Sequence, residues 1–434
     1  MVVQRLLATN ALLRHNALLL GSTVFTGLFS YLFHPVVGKL LGNARYSDVL
    51  SLISLFGVIL MPVQILTTVL NKFTAELSAQ GRIDQVNYLI RLSTRWMFLI
   101  GAGITVVLIV VSPALASFLK LPSTTPVIIM STSVAVGIAG TITNGAIQGR
   151  QKFGWTAIIS FFSIVSRVAL TAAFIVVGLG FNGAILGVVA ASVLGYGISI
   201  IPLRDVLRGP KTPVPSLKPV FTYSLGTLLA ALGSGLLSNT DILLAKHYLM
   251  SADASYYIAI VTVGRIVTFV TASCAGVMFP KVATLQQQGG NYRAILAWTL
   301  AATLILAIGV LTIFALFPSW IIGLILRTPP SPQVAGQLVW YGLAMLLGSL
   351  AGVLTTYFMS LGRMSFVMLT LACWALQASL IVRWHANVAQ IVLAMVVVMA
   401  ANLLGAAAIY IWQEFRTGRS TAVMAPMADG ILNA

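Results

Sequence analysis

Charge is what this chain has least of. Only 8% of its 434 residues are Asp, Glu, Lys or Arg, against roughly 25% in an ordinary soluble domain. So few charges cannot clothe a water-facing surface, which excludes a freestanding soluble enzyme or binding domain. Acids are scarcer still: 8 stand against 25 Lys and Arg. On a soluble protein that excess would point to nucleic acid. Here the basic residues lie between apolar runs, where they report topology, and no nucleic-acid partner is expected. The two cysteines, Cys274 and Cys373, both fall inside apolar runs, which argues against a disulfide framework or a metal site. There is no G-x-x-x-x-G-K-[ST] phosphate loop, no zinc-ligand cluster and no His-Asp-Ser set. Neither an ATPase nor a hydrolase is supported, so no catalytic residue, cofactor or metal is expected. The first apolar run, from near Asn16 to near Lys39, has no cleavage motif after it. It reads as a permanent anchor rather than a signal peptide.

What is present is apolar: 59% of the residues are hydrophobic. A helix crosses the hydrocarbon in about 20 residues, and helices satisfy their own backbone there. The expected fold is therefore an all-α polytopic membrane protein with twelve transmembrane helices. They are read at 16–38, 49–71, 96–118, 126–148, 154–177, 181–203, 219–243, 255–279, 295–318, 335–358, 364–382 and 389–412. Pro122 and Pro126 separate spans three and four, and Pro329, Pro330 and Pro332 separate nine and ten. Gly178, Gly180 and Asn182 mark the tight turn between five and six. With the N-terminus inside, seventeen basic residues occupy inner segments. Only Lys39, Arg45, Lys120, Lys246, Arg327 and Arg383 occupy outer ones. That asymmetry predicts both termini in the cytoplasm, with the protein in the inner, cytoplasmic membrane.

The chain also repeats itself. Asn71-Lys72-Phe73-Thr74-Ala75 and Gln80-Gly81 follow span two; Pro280-Lys281-Val282-Ala283-Thr284 and Gln288-Gly289 follow span eight. Span four ends in Gly149-Arg150 with Phe153 beyond it, and span ten in Gly362-Arg363 with Phe366 at the same distance. Lys39 and Lys246 hold similar places after spans one and seven. Six spans per half bring both halves into the membrane the same way round. The expected organisation is a six-helix lobe at 1–203, a Pro-containing cytoplasmic linker at 204–218, a second lobe at 219–415, and a flexible cytoplasmic tail at 416–434.

Few ionisable residues fall within spans, and each costs at least roughly 2.5 kcal/mol at mid-bilayer. Arg265 of span eight and Arg167 of span five lie far from either membrane edge. Each is a ligand-contact candidate or a helix–helix staple. Asp241, near the outer end of span seven, is read as a pairing or gating residue, with Arg265 as a candidate partner; an ion-coupling site and a water-exposed rim residue are the alternatives. Asp48 opens span two, either favouring the helix start or lining an outer mouth. His34, before Pro35, is a proton switch or a hydrogen-bonded interface residue. Pro62 predicts a bend in span two. Gly183 and Gly187 form a small-xxx-small packing pair.

The ordered set resembles the polysaccharide-transporter and oligosaccharide-flippase branch of the multidrug/oligosaccharidyl-lipid/polysaccharide (MOP) exporter superfamily. The set is Tyr46, the Lys72 and Gly81 turn, Gly149-Arg150, Gly178-x-Gly-x-x-Gly183, Asn239-Thr240-Asp241, Tyr256-Tyr257 and Phe279-Pro280-Lys281, within a resemblance covering about 12–412. It implies two six-helix lobes and a polyprenyl-diphosphate-linked oligosaccharide carried from the inner to the outer leaflet for cell-surface polysaccharide synthesis. The implied partners are that lipid-linked substrate, membrane lipids, and the pathway's glycosyltransferases and polymerase. Arg265 looks like a match, by span and depth, to an arginine thought to hold diphosphate in the lipid II flippase. Some relatives carry two further C-terminal helices, which this chain does not show. Besides the flippase, a lipid II flippase, a cation-coupled multidrug exporter and a transport-inactive scaffold remain readings. The multidrug exporters typically have an acidic cavity, many with an aspartate on helix one, and 16–38 contains no Asp or Glu.

Overall fold

Helices are the only way a single segment can cross hydrocarbon with its backbone donors and acceptors all paired. A computed structural model of the chain describes residues 25–27, 29–213, 218–287, 293–328, 330–361 and 366–429. Among these residues there is no strand. The helices are α1 (29–41), α2 (Asn43–Ala79), α3 (Ile83–Val110), α4 (Ser112–Phe118), α5 (Thr125–Ser131), α6 (Ser133–Gly149), α7 (Phe153–Phe174) and α8 (Gly180–Ile200). Then come α9 (Arg204–Arg208), α10 (Lys218–Tyr248), α11 (Ser251–Gln287), α12 (Arg293–Leu316), α13 (Pro318–Ile325), α14 (Pro332–Ser360), α15 (Phe366–Arg383) and α16 (Val388–Asp429). Nine segments of the described residues are long and apolar enough to cross a membrane. The protein is an all-helical, multi-pass membrane protein.

Prolines and glycines punctuate it. Pro113, Pro126 and Pro332 sit in the first turns of α4, α5 and α14, where a missing N–H costs nothing. Pro318 opens α13. The third expected span therefore ends in a short extra helix, α4, and the ninth is followed by another, α13. Gly178 and Gly180 take φ of 97° and 53° across the turn between α7 and α8, a region closed to most side chains.

The residues group into two compact units: Met1–Ile258 with Gly323–Pro329, and Ala259–Ile322 with Pro330–Ala434. In the first unit, α7 and α8 form an antiparallel hairpin. A Cβ added to Gly183 would meet Phe174 O at 2.8 Å, one on Gly187 would meet Thr171 Cα at 2.5 Å, and one on Gly195 would meet Ser163 Oγ at 2.4 Å. The small residues of span six are thus packing residues, letting two backbones approach. Helices α2 and α6 run parallel. Gly145 lies against Thr67 and Gly149 against Asn71 and Thr74, and Asn71 donates to Gln148 Oε1 at 3.4 Å. Helix α10 runs antiparallel to α2, with Gly235 against Met61, and Lys246 meeting Asp48.

In the second unit, α14 packs against α12 and α16, and α15 against α16. Here α11 and α14 run parallel in the register of α2 and α6. Gly264 lies against Tyr341, Thr268 donates to Met345 Sδ at 3.7 Å, and Thr271 donates to Ser349 Oγ at 2.9 Å. These partners are 77 and 78 residues apart, and the α2–α6 pair Asn71–Gln148 is 77 apart. The recurring sequence turns after span eight are only partly visible in this way: Gln288-Gly289 and Gly362-Arg363 lie outside the described residues.

The Gly187 contact gives a direct check. Gly187→Val should cost about 1–3 kcal/mol, as overpacking does. A valine at Gly103, which has nothing within 4 Å, should be tolerated. Thermal unfolding in detergent would compare them, and a Gly187→Val protein melting with the wild type would contradict the close hairpin.

Candidate functional site

Polar side chains inside a bundle must find partners or face a hydrated path. In the first unit two such bonds repeat one theme. Tyr46, fully buried at the start of α2, pairs through its hydroxyl with His34 Nδ1 of α1 at 3.2 Å. Tyr257, fully buried near the start of α11, donates to Asp241 Oδ2 of α10 at 3.1 Å. Each buried tyrosine opens one long helix and reaches back to a polar residue on the helix before it. His34 and Asp241, two of the sequence candidates, therefore occupy matching places. Asp241 is fully buried.

Arg167 lies 14 residues into α7, about 21 Å along it by helical rise. Its guanidinium stands over the Phe33 ring of α1, with Cζ 4.3 Å from the centroid. That contact supplies a cation–π attraction and no hydrogen bond. Its Nε is buried and has no hydrogen-bond partner among the described residues. Among the described residues no carboxylate lies within 4 Å of it. Phe33 adjoins His34, so Arg167, Phe33, His34 and Tyr46 follow one another across α7, α1 and α2. Arg265, the other cargo candidate, is half-buried on α11 in the second unit.

Asp48 is placed by the first turns of α2, where it is 4% exposed. Lys246 of α10 donates to its Oδ1 at 2.5 Å and to Ser47 Oγ at 3.1 Å. Arg45 donates to its Oδ2 at 3.0 Å. Sequence reasoning missed Lys246, placing it in an outer loop. Helix α10 continues to Tyr248 and buries it to 3%. The signal that could have found it is Asp48 itself, a carboxylate at a span end needing a cation. Pro62 lies inside α2, which continues through it to Ala79. Among the described residues no group of three His, Cys, Asp or Glu side chains could hold a metal ion.

A second polar constellation holds residues 202–212. Arg91 of α3 donates to Val206 O at 2.8 and 2.5 Å and to Gly209 O at 2.6 Å. Asn87 donates to Pro210 O at 2.9 Å, and Thr212 N donates to Asp84 O at 3.2 Å. Arg150 grips Asp205 through both terminal nitrogens, at 3.0 and 2.5 Å, and Lys152 donates to Pro202 O at 2.7 Å. Residues 202–212 are thereby strapped to the end of the first unit formed by α3, α6 and α7. The Arg150 guanidinium, hydrogen-bonded to Asp205, holds that carboxyl down to about 2 from an ordinary 3.8.

Several solved structures share this arrangement. An inward-facing multidrug resistance MATE family transporter of the MOP superfamily matches with a TM-score of 0.77 at 13% identity, over 92% of this chain and 96% of that one. The lipid II flippase MurJ, in an inward closed conformation, matches at 0.73 and 14%, over 90% and 86%. A MOP superfamily transporter from Pyrococcus furiosus, described as having a binding pocket of reverse polarity, matches at 0.60 and 14%, over 93% and 94%. At such identities the likeness is one of fold, and the fold is that of the MOP superfamily transporters. No curated protein sequence matches the chain. The profile of the polysaccharide biosynthesis protein family matches residues 84–329; the chain belongs to that family.

The strap makes a pH prediction. Asp205 has its folded-state pKa depressed, so its contribution is present above about 4 and is lost as pH falls through about 2. Because its side chain is 53% exposed, solvent screens the effect. Protease cleavage within 204–213 should be slow and constant from pH 5 to 8. Arg91→Ala, which removes three bonds, should accelerate it at every pH. Equal cleavage of wild type and Arg91→Ala would show that these bonds do not hold residues 204–213.

Proposed function

We propose that this protein is a flippase carrying a polyprenyl-diphosphate-linked oligosaccharide from the inner to the outer leaflet of the cytoplasmic membrane, in cell-surface polysaccharide synthesis. Family membership supports the pathway, and the fold supports transport. The observation that carries the cargo chemistry is Arg167: a cation deep in a span, held by an aromatic face, with a buried donor that no described residue accepts from. A diphosphate supplies the acceptors such a group needs, and arginine's planar fork suits phosphate oxygens. Arg265 is the second proposed phosphate contact. His34 and Asp241, held by the equivalent tyrosines, are proposed as gating residues, with Pro62 a candidate bending point of α2. Glycosyltransferases and a polymerase of the pathway are the proposed partners.

The proposed topology has twelve spans, both termini cytoplasmic, and lobes at 1–203 and 219–415. The shared 77–78 register of α2–α6 and α11–α14 supports the duplication. Reporter fusions after Pro122 and after Arg363 should read outside and inside respectively; an inside reading at Pro122 would break this map.

Transport per folded molecule in reconstituted vesicles tests the cargo site. Arg167→Ala and Arg265→Ala should each insert normally yet weaken cargo binding by roughly tenfold or more, since hydrogen bonds to charged groups contribute about 1.5–3 kcal/mol. Lysine should rescue only in part. If Arg265 instead braces Asp241, the single change should lower folded yield and Arg265→Ala with Asp241→Ala should restore it. Wild-type transport by a folded Arg167→Ala, Arg265→Ala double variant would defeat the proposed site.

A second reading, cation-coupled multidrug export, is favoured by the fold shared with MATE transporters. It would require efflux of cationic compounds. The absence of any acid from 16–38 leaves such an exporter without the first-helix carboxylate expected of many of them.

A further inference from the structure

We infer that Asp48 and Lys246 form a latch closing the end of the first unit that the charge rule assigns to the outside, with Arg45 the partner Asp48 retains when the latch parts. The inference rests on the proposed alternation of two lobes. Asp48 belongs to a helix before the linker and Lys246 to a helix beyond it, 198 residues later. Their side chains are 6% and 3% exposed. Lys246 also donates to Ser47 Oγ at 3.1 Å.

Four further ties join the same two stretches of chain at the same end. Asn43 Oδ1 accepts from Arg327 N at 3.0 Å and Thr328 N at 3.3 Å, while its Nδ2 donates to Thr328 O at 2.7 Å. His247 stacks on Phe118 at 4.4 Å, with its Nδ1 2.8 Å from Phe118 O. Lys120 Nζ donates to Leu249 O at 3.4 Å. Gly38 lies so close to Ile325 O that a Cβ would stand 2.1 Å from it. These are mostly polar contacts, and polar surface can be wetted when it opens, unlike an apolar seam.

The ion pair has the asymmetry a reversible latch needs. A buried pair often stabilises no better than apolar residues of the same size, and removing one partner strands the other. Here the separation of Lys246 would not strand Asp48. Arg45 already donates to the second carboxylate oxygen at 3.0 Å, and its own side chain is 45% exposed. Lys246, near the end of α10, would be left beside water. Each charge thus has a partner or solvent in both positions.

The test reads opening without needing cargo. In a Cys274→Ala, Cys373→Ala background, Ser51→Cys places a thiol one turn below Asp48 at a fully buried position. A membrane-impermeant maleimide is added to right-side-out vesicles. The neutral double variant Asp48→Asn, Lys246→Met leaves neither charge alone, and should label roughly tenfold faster than the parent as the closed population falls. Lys246→Arg should label like the parent. A folded double variant labelling at the parent rate would overturn the latch. So would a double variant that fails to fold, since the pair would then be a brace. Faster labelling together with no movement of lipid-linked sugar would sustain the latch and reject the flippase reading instead.

Discussion

Hydrocarbon offers no hydrogen bonds, and that constraint shapes everything in this chain. Backbone groups must be paired within each helix, so the fold is helical. Without a hydrophobic force between helices, association depends on close packing and on polar contacts. The two devices appear side by side. Gly187 seats on Thr171 and Gly145 on Thr67, while Thr143 and Ser199 hydroxyls meet at 2.8 Å between α6 and α8. Under the same constraint every retained charge carries a cost, which makes its surroundings informative.

The structure meets that constraint twice with one plan. Helices α2 and α6, and likewise α11 and α14, lie parallel with partners 77 or 78 residues apart. The buried tyrosines Tyr46 and Tyr257 each reach back to the preceding helix. The plan is shared, but the chemistry at equivalent points differs. A histidine pairs with one tyrosine hydroxyl and a carboxylate accepts from the other; Pro62 stands near the middle of only the first of the two 37-residue helices. The register is common to the two helix pairs, and these residues are where the pairs differ.

Much of the frame was legible in the sequence, because span boundaries are set by local chemistry. Pro126 and Pro332 start helices where expected, and Gly178 and Gly180 make the turn that separates α7 from α8. The extra helices α4 and α13 were not foreseen. A proline at the first turn can begin a new helix as readily as it ends a run, and hydropathy does not distinguish the two. Arg167 could be singled out by depth, but its Phe33 neighbour lies 134 positions away on another helix, beyond any periodicity. Lys246 was assigned to water because a lysine two or three residues past an apolar run usually snorkels outward. Only the packing of α10 on α2 reveals that it turns inward to Asp48.

The placement of charge finally separates two roles that composition merges. The excess of basic residues sets orientation, yet several of them also do local structural work. Arg91, Arg150 and Lys152 are occupied by the carbonyls and carboxylate of the 202–209 strap, which belongs to the first unit. Lys246 is occupied by Asp48 at the opposite end of the same unit. The mid-span guanidinium of Arg167 differs from all of these: it has an aromatic face beneath it and no carboxylate within 4 Å among the described residues. A cation already matched by protein oxygens has little left to offer a ligand. A cation kept deep in a span without such a match has a reason to persist when the molecule it serves brings its own negative charge.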